Sequence, residues 1–207
     1  QVRHALAPFG PELETLEDSN PLEAKLLLGA LGKGGTSRIY KSLIINSPDC
    51  FSALKAKWET LIDPLEEEDW RDVRMAPREL AISSRLRLIQ LKYLHMAYRT
   101  PVVINKSHPN TSPHCPRCPC LRADFIHMTW ECPVIQGFWS DVANTVSRVL
   151  EQDVTVSPKV ALLGITFGLG NSRGEHSLIG MATMIAKRDI AKHWISKTAP
   201  KLSEWRA

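Results

Sequence analysis

Apolar residues return at helical intervals along much of the chain. Phe51, Leu54, Trp58 and Leu61 lie three or four positions apart, which predicts an amphipathic helix over 50–62. Ile135, Phe138, Trp139, Val142, Val146 and Leu150 keep the same period and predict another after Cys132-Pro133. Between them the pattern predicts one long helix from Pro77 to about Arg99. Proline is tolerated at a first helical position, and Thr100-Pro101 stops the run. Ile82, Leu86, Ile89 and Tyr93 form one apolar arc of this helix, and Leu80, Leu91, Leu94 and Tyr98 a second, so most of its circumference should be buried.

Polar punctuation sets the remaining elements. Residues 7–21 read as a loop, and Pro21-Leu22-Glu23 opens a short helix through Leu28 that Gly29 and Gly32 close. Gly32 to Gly35 is a turn, Thr36 or Ser37 caps a helix to about Ile45, and Ser47-Pro48-Asp49 breaks it. Glu66 to Asp72 is an acidic helical start, where carboxylates suit the positive end of the helix dipole. Residues 101–114 read as loop, Val160 to Phe167 as a short buried strand, and Glu175 to Lys197 as a final helix. The second half of that helix is basic: Lys187, Arg188, Lys192, His193 and Lys197. The expected fold is mostly α, a bundle-like chain in three regions: an acidic, thumb-like helical connector over 1–75, a basic helix with a metal loop and a following helix over 76–152, and a helical tail over 153–207.

Charge sharpens this division. Residues 1–75 hold nine Lys/Arg against thirteen Asp/Glu, residues 76–122 eight against one, and residues 123–207 nine against eight. The middle stretch is therefore at net +7 in a chain that is +4 as a whole, the footprint of a polyanion partner. Within it Arg78, Arg85, Lys92 and Arg99 repeat every seven residues, with His95 beside them, so one continuous helix would carry all four on one face. Contact with nucleic-acid phosphates is the favoured reading of that stripe. A merely solvated face, or pairing with the acidic run Glu66 to Asp72, are the alternatives.

Four of the five cysteines crowd into one segment, as Cys115-x2-Cys118-x8-His127-x4-Cys132 with Cys120 between. Zinc takes four thiolate or imidazole ligands in a tetrahedron, and Cys-x2-Cys lets one tight turn supply two of them. The expected ligands of a Zn2+ ion are Cys115, Cys118, His127 and Cys132, with Cys120 and His114 as rivals. His127 should donate its second ring N–H to a nearby oxygen. Phe125 and Trp130 sit inside this loop, where packing is favoured over stacking on unpaired bases. Cys50 reads as a buried small hydrophobe. An odd cysteine count argues for reduced thiols, hence the cytosol or nucleus. The opening residues hold no signal-peptide core, the first residue is Gln1 as in a piece of a longer or processed chain, and no apolar run is long enough to span a bilayer.

Catalytic motifs are not found. Gly168-x-Gly170-x3-Gly174 lacks the second strand of a dinucleotide fold, and Gly32-Lys33-Gly34-Gly35-Thr36 lacks the spacing of a phosphate loop. No Asp-Asp pair offers a two-metal polymerase site, and Asp124, Asp141 and Asp153 are scattered.

Arg85-Leu86-Arg87-Leu88-Ile89-Gln90-Leu91-Lys92-Tyr93-Leu94-His95, Thr100-Pro101, Cys115-x2-Cys118, Ala123-Asp124-Phe125-x-His127-x2-Trp130-x-Cys132-Pro133 and Phe138-Trp139 together resemble the C-terminal region of LINE-type (non-LTR) retrotransposon reverse transcriptases. Gln1-Val2-Arg3-His4 and the closing stretch with Ala186-Lys187-Arg188, His193-Trp194 and Leu202-Ser203-Glu204-Trp205 are similar too. The resemblance implies a region downstream of the polymerase palm and thumb that helps hold template RNA and target DNA. Its other partner would be the rest of the reverse transcriptase, an RNA-directed DNA polymerase whose catalytic residues have no counterpart here. A zinc-stabilised scaffold packing on the thumb is the second reading, and a metal-dependent nuclease the third.

Overall fold

A computed structural model describes residues 35, 37, 40, 41, 50–81 and 83–206. The expectations for residues 7–32, for the break at Ser47-Pro48-Asp49 and for the Cys50 side chain lie outside them. Gly35, Ser37, Tyr40 and Lys41 are helical. Ser37 is itself helical rather than a cap outside the helix, and the expectation for Thr36 lies outside the described residues. The chain divides into two compact units, residues 1–55 and 56–207. It is mostly helical, and no strand occurs among the described residues.

The helices are α1 Cys50–Glu59, α2 Glu67–Glu79, α3 Ser84–Leu94, α4 Pro101–Ser107, α5 Pro133–Leu150, α6 Arg173–Lys192 and α7 Leu202–Trp205, with π-helical turns at His127–Glu131 and Lys159–Leu163. The long helix expected over 77–99 is instead parts of α2 and α3. α2 starts at a reciprocal cap between Glu66 and Asp69 and carries Pro77 in its last turn, not its first. Ser83 then turns extended (φ −125°) and accepts the Leu86 N–H at 3.3 Å. A serine hydroxyl competes with the helical backbone for such N–H groups, and this break was hidden by an unbroken apolar rhythm. Arg78 consequently sits on α2, Arg85 and Lys92 on α3, and Arg99 beyond it. The seven-residue stripe is not one helix face.

Thr100-Pro101, read as a stop, is a start. Thr100 caps α4 by accepting the Val103 N–H at 3.2 Å, and Pro101 occupies its first turn. So residues 101–107, expected as loop, are helical.

α6 is the centre of the larger unit, packing against α3, α5, α7 and the second π turn. Gly180 permits close approach of Leu80, whose methyl groups fill the place a β-carbon would take. The expected strand over 160–167 is buried as foreseen up to Thr166, but it is the π turn Lys159–Leu163 followed by irregular chain. Gly164, at φ +80°, closes that turn in a left-handed conformation costly to other residues. The end of such a turn leaves carbonyls without helical partners. Here Gln90 Nε2 donates to the carbonyls of Leu162 (3.3 Å) and Leu163 (2.9 Å). Lys187 Nζ reaches Gln90 Oε1 at 2.5 Å and Leu162 O at 3.5 Å. Both side chains are fully buried, an internal polar layer between α3, α6 and the turn.

The basic second half of the final helix is therefore not a free cationic face. Lys187 is internal, while Arg188 (2.8 Å) and Lys192 (3.1 Å) clamp the buried carboxylate of Asp189. α6 ends at Lys192, with His193 as its cap.

Candidate metal centre and its surroundings

One ligand atom from each of Cys115, Cys118, His127 and Cys132 falls within 4.8 Å of all the others. Local chain geometry explains how. Cys115 and Cys118 sit in a tight loop whose ends are tied by the Cys115 N–H on the Cys120 carbonyl (3.0 Å) and the Ala123 N–H on the Pro113 carbonyl (2.9 Å). His127 and Cys132 are five residues apart, and the Cys132 N–H closes one π turn onto the His127 carbonyl at 3.0 Å. An α turn would send residues at that separation to different sides; the wider π turn returns them to one side. Cys132 also precedes α5, with Pro133 at the first helical position, so it stands at a helix N-terminus.

The spacing suits a tetrahedral cation. Zinc–sulfur bonds of about 2.3 Å and zinc–nitrogen bonds of about 2.05 Å give edges of roughly 3.8 Å between sulfurs and roughly 3.6 Å between sulfur and nitrogen. Cys115 and Cys132 sulfurs are 3.9 Å apart, and Cys118 Sγ lies 3.3 Å from His127 Nε2. Cys120 instead points its sulfur at the Arg122 carbonyl (3.5 Å), and His114 is exposed. Near His127, Asp124 Oδ1 accepts the backbone N–H at 3.0 Å.

Electrostatics favour an ion as well. Burial pushes the Cys118 thiol up, and the neighbouring sulfurs of Cys115 and Cys132 add to this, to about 11. Burial also acts on Cys115, but the N–H groups of Arg117 and Cys118 outweigh it and hold that thiol below its ordinary value. Three thiolates this close repel one another, so a divalent cation at their centre lets all three ionise together. The cluster can hold a metal ion.

Sequence reasoning missed Arg117, which lies inside the metal loop and is buried. Its guanidinium donates to the carbonyls of Met128 (3.3 Å), His193 (2.8 Å) and Trp194 (3.1 Å). Burial lowers its pKa, while the thiols of Cys132, Cys115 and Cys118 oppose that shift. Arg117 thus joins the loop to the chain after α6 and brings one positive charge to a site with three sulfurs. Its only local signal is a basic residue framed by Pro116 and Cys118; its acceptors at 193 and 194 are far outside any local window.

Phe125 is buried, edge-on to Trp58 (6.1 Å) and Tyr93 (5.7 Å), so it is a core residue and not a platform for bases. Trp130 is half-buried and tilted against Trp139, whose indole N–H bonds the Thr129 carbonyl at 2.9 Å. The middle-stretch cations behave differently. Arg78, Arg85, Arg87, Lys92, Arg99, Lys106 and Arg122 are all exposed, as is His95. None of these pairs with a carboxylate among the described residues, so pairing with Glu66 to Asp72 is not what they do. On α3, Arg85 and Lys92 flank Leu88 and Leu91, which are 52% and 38% exposed. Gln90 takes the buried place that the pattern gave to Leu91. No helix among the described residues is long and apolar enough to cross a membrane. No protein-family model matches the chain.

Proposed function

We propose that this chain is a zinc-stabilised module that binds RNA and DNA through their phosphates, an accessory region of a retroelement reverse transcriptase working in the reducing interior of the cell. One observation carries the reading. The cation-rich stretch 76–122, which holds Cys115 and Cys118 and runs up to the other two ligands, presents seven exposed cations that no described carboxylate neutralises. Cys115, Cys118, His127 and Cys132 would hold the Zn2+, which acts as a cross-link and not as a reagent. Among the described residues the cluster of His, Cys, Asp or Glu that could hold a metal contains no carboxylate; in this reading the module grips nucleic acid and catalysis belongs to the polymerase.

Elemental analysis and salt titration test the two halves. The reduced protein should carry about one zinc. Cys118→Ser should lose it and Cys120→Ser keep it; the reverse would overturn the ligand set. Contact with three or four phosphates gives a slope of log K against log salt of roughly −2 to −4. Replacing Arg85 and Lys92 together by Ala should flatten that slope by roughly one to two units on every sequence tried. A salt-independent, unchanged affinity would reject phosphate binding.

The second reading, a scaffold packed on the polymerase, draws on Leu88 and Leu91, apolar side chains left open at the middle of the exposed α3 face. It expects Leu88→Asp to impair association with the upstream polymerase while nucleic-acid affinity stays unchanged.

A further inference from the structure

Thr166, Phe167, Gly168 and Leu169 form a tight turn, closed by the Leu169 N–H on the Thr166 carbonyl at 3.2 Å. Gly168, at φ +83°, takes the third position, where a type II turn needs a residue at ease with positive φ. Phe167 is thereby set on the corner, 81% exposed. Its ring lies nearly parallel to that of His176, with centroids 5.9 Å apart and planes 9° from parallel. The imidazole is fixed in turn, its Nδ1 standing 2.8 Å from the Thr166 carbonyl oxygen. A carbonyl only accepts, so Nδ1 carries a proton. Phe167 borders a cavity of about 410 Å³, lined also by Arg173, Ser177, Asp72 and Glu79.

We propose that Phe167 and His176 form a stacking platform for one unpaired base of a single-stranded nucleic acid. The proposal rests on the nucleic-acid reading above and says where a base sits. A flat, solvent-exposed ring fixed on a tight turn is a surface on which bases of any sequence stack. Arg173 stands beside it for the adjoining phosphate, and the carboxylates of Asp72 and Glu79 accept hydrogen bonds from base N–H groups. With two carboxylates against one guanidinium, the cavity carries no excess positive charge. The platform therefore contributes stacking and little counterion release, unlike the cations of α3.

This difference makes the idea testable on the full chain. The probe is a labelled single-stranded RNA carrying 2-aminopurine, titrated at several salt concentrations. Phe167→Ala should weaken binding roughly 5- to 100-fold, abolish stacking-induced quenching of the probe, and leave the salt slope and the thermal melt as they were. Phe167→Trp should restore affinity and quenching. Equal affinity and equal quenching in wild type and Phe167→Ala would overturn the platform while the nucleic-acid reading stood. Loss of all strand binding by the wild type would instead remove the reading on which the platform rests. A free mononucleotide should bind far more weakly than the strand; equal affinity would overturn the strand as the ligand.

Discussion

Lys187 is fully buried and forms no ion pair with a carboxylate among the described residues. Its ammonium meets Gln90 Oε1, the Leu162 carbonyl and, at 6.0 Å, the face of Tyr93. Burial alone lowers its pKa from 10.5 to about 7. In the unfolded chain the same group keeps its proton to about pH 10.4. Between these values the unfolded state binds more protons, so this residue makes folding more favourable as pH rises, by at most about 1.4 kcal/mol per unit. Below about pH 7 both states are charged and the contribution is flat. Denaturant melts at about pH 7, 8 and 9 should show stability climbing in the wild type and a smaller climb in Lys187→Met; parallel curves would mean the lysine is not desolvated in solution. A sequence offers a hint of such a residue. Lys187 follows Ile179, Met184 and Ala186 on a stretch dominated by small and apolar side chains, where a solvated lysine is out of place.

At the scale of elements, the metal loop was the most legible part of the chain, and the helix boundaries the least. Thiols and imidazole at short, fixed spacings define a site almost without reference to the rest of the fold, which is why Cys115, Cys118, His127 and Cys132 converge as their pattern indicated. The 77–99 helix failed because its apolar rhythm ran through Ser83, and rhythm says nothing about a side chain that captures the backbone. The Arg117 latch was invisible for a further reason: its acceptors are carbonyls 76 and 77 residues away, which carry no side-chain signature. Arg117→Met keeps length and removes the donors. Leaving those carbonyls unpaired, with hydrogen bonds to a charged group lost, should cost about 2–4 kcal/mol. Limited proteolysis should then cut between 193 and 206 sooner, with zinc retained. A wild-type cleavage rate in that segment would show that other contacts hold it, foremost Trp194 Nε1 on the Arg99 carbonyl and Trp205 Nε1 on the Ala182 carbonyl.

For the molecule as a whole, the metal and the core are one system. Phe125, between the second and third ligands, and Met128, between the third and fourth, are both buried, and Phe125 packs on Trp58 and Tyr93, the latter on α3 against α6. Removing the ion should therefore loosen more than a surface loop. Free zinc about a thousandfold above its dissociation constant stabilises a fold by about 4 kcal/mol, which for a unit of this size corresponds to roughly 8–16 °C in Tm. A strong chelator should lower the melting temperature by about that much and leave most helical circular dichroism below the transition. An unchanged melt in chelator would show that the four ligands bear no load in folding.

Distance along the chain also sets an order of events. The Cys115–Cys132 loop closes within eighteen residues, so its ligands are all available as soon as that short stretch has been synthesised. The carbonyls of His193 and Trp194 are made long afterwards. During synthesis there is an interval in which the loop can take up its ion while Arg117 has the Met128 carbonyl but not yet those of His193 and Trp194. Loading precedes latching, so a nascent chain halted near residue 170 should already be zinc-bound but not yet latched by the 193–194 segment.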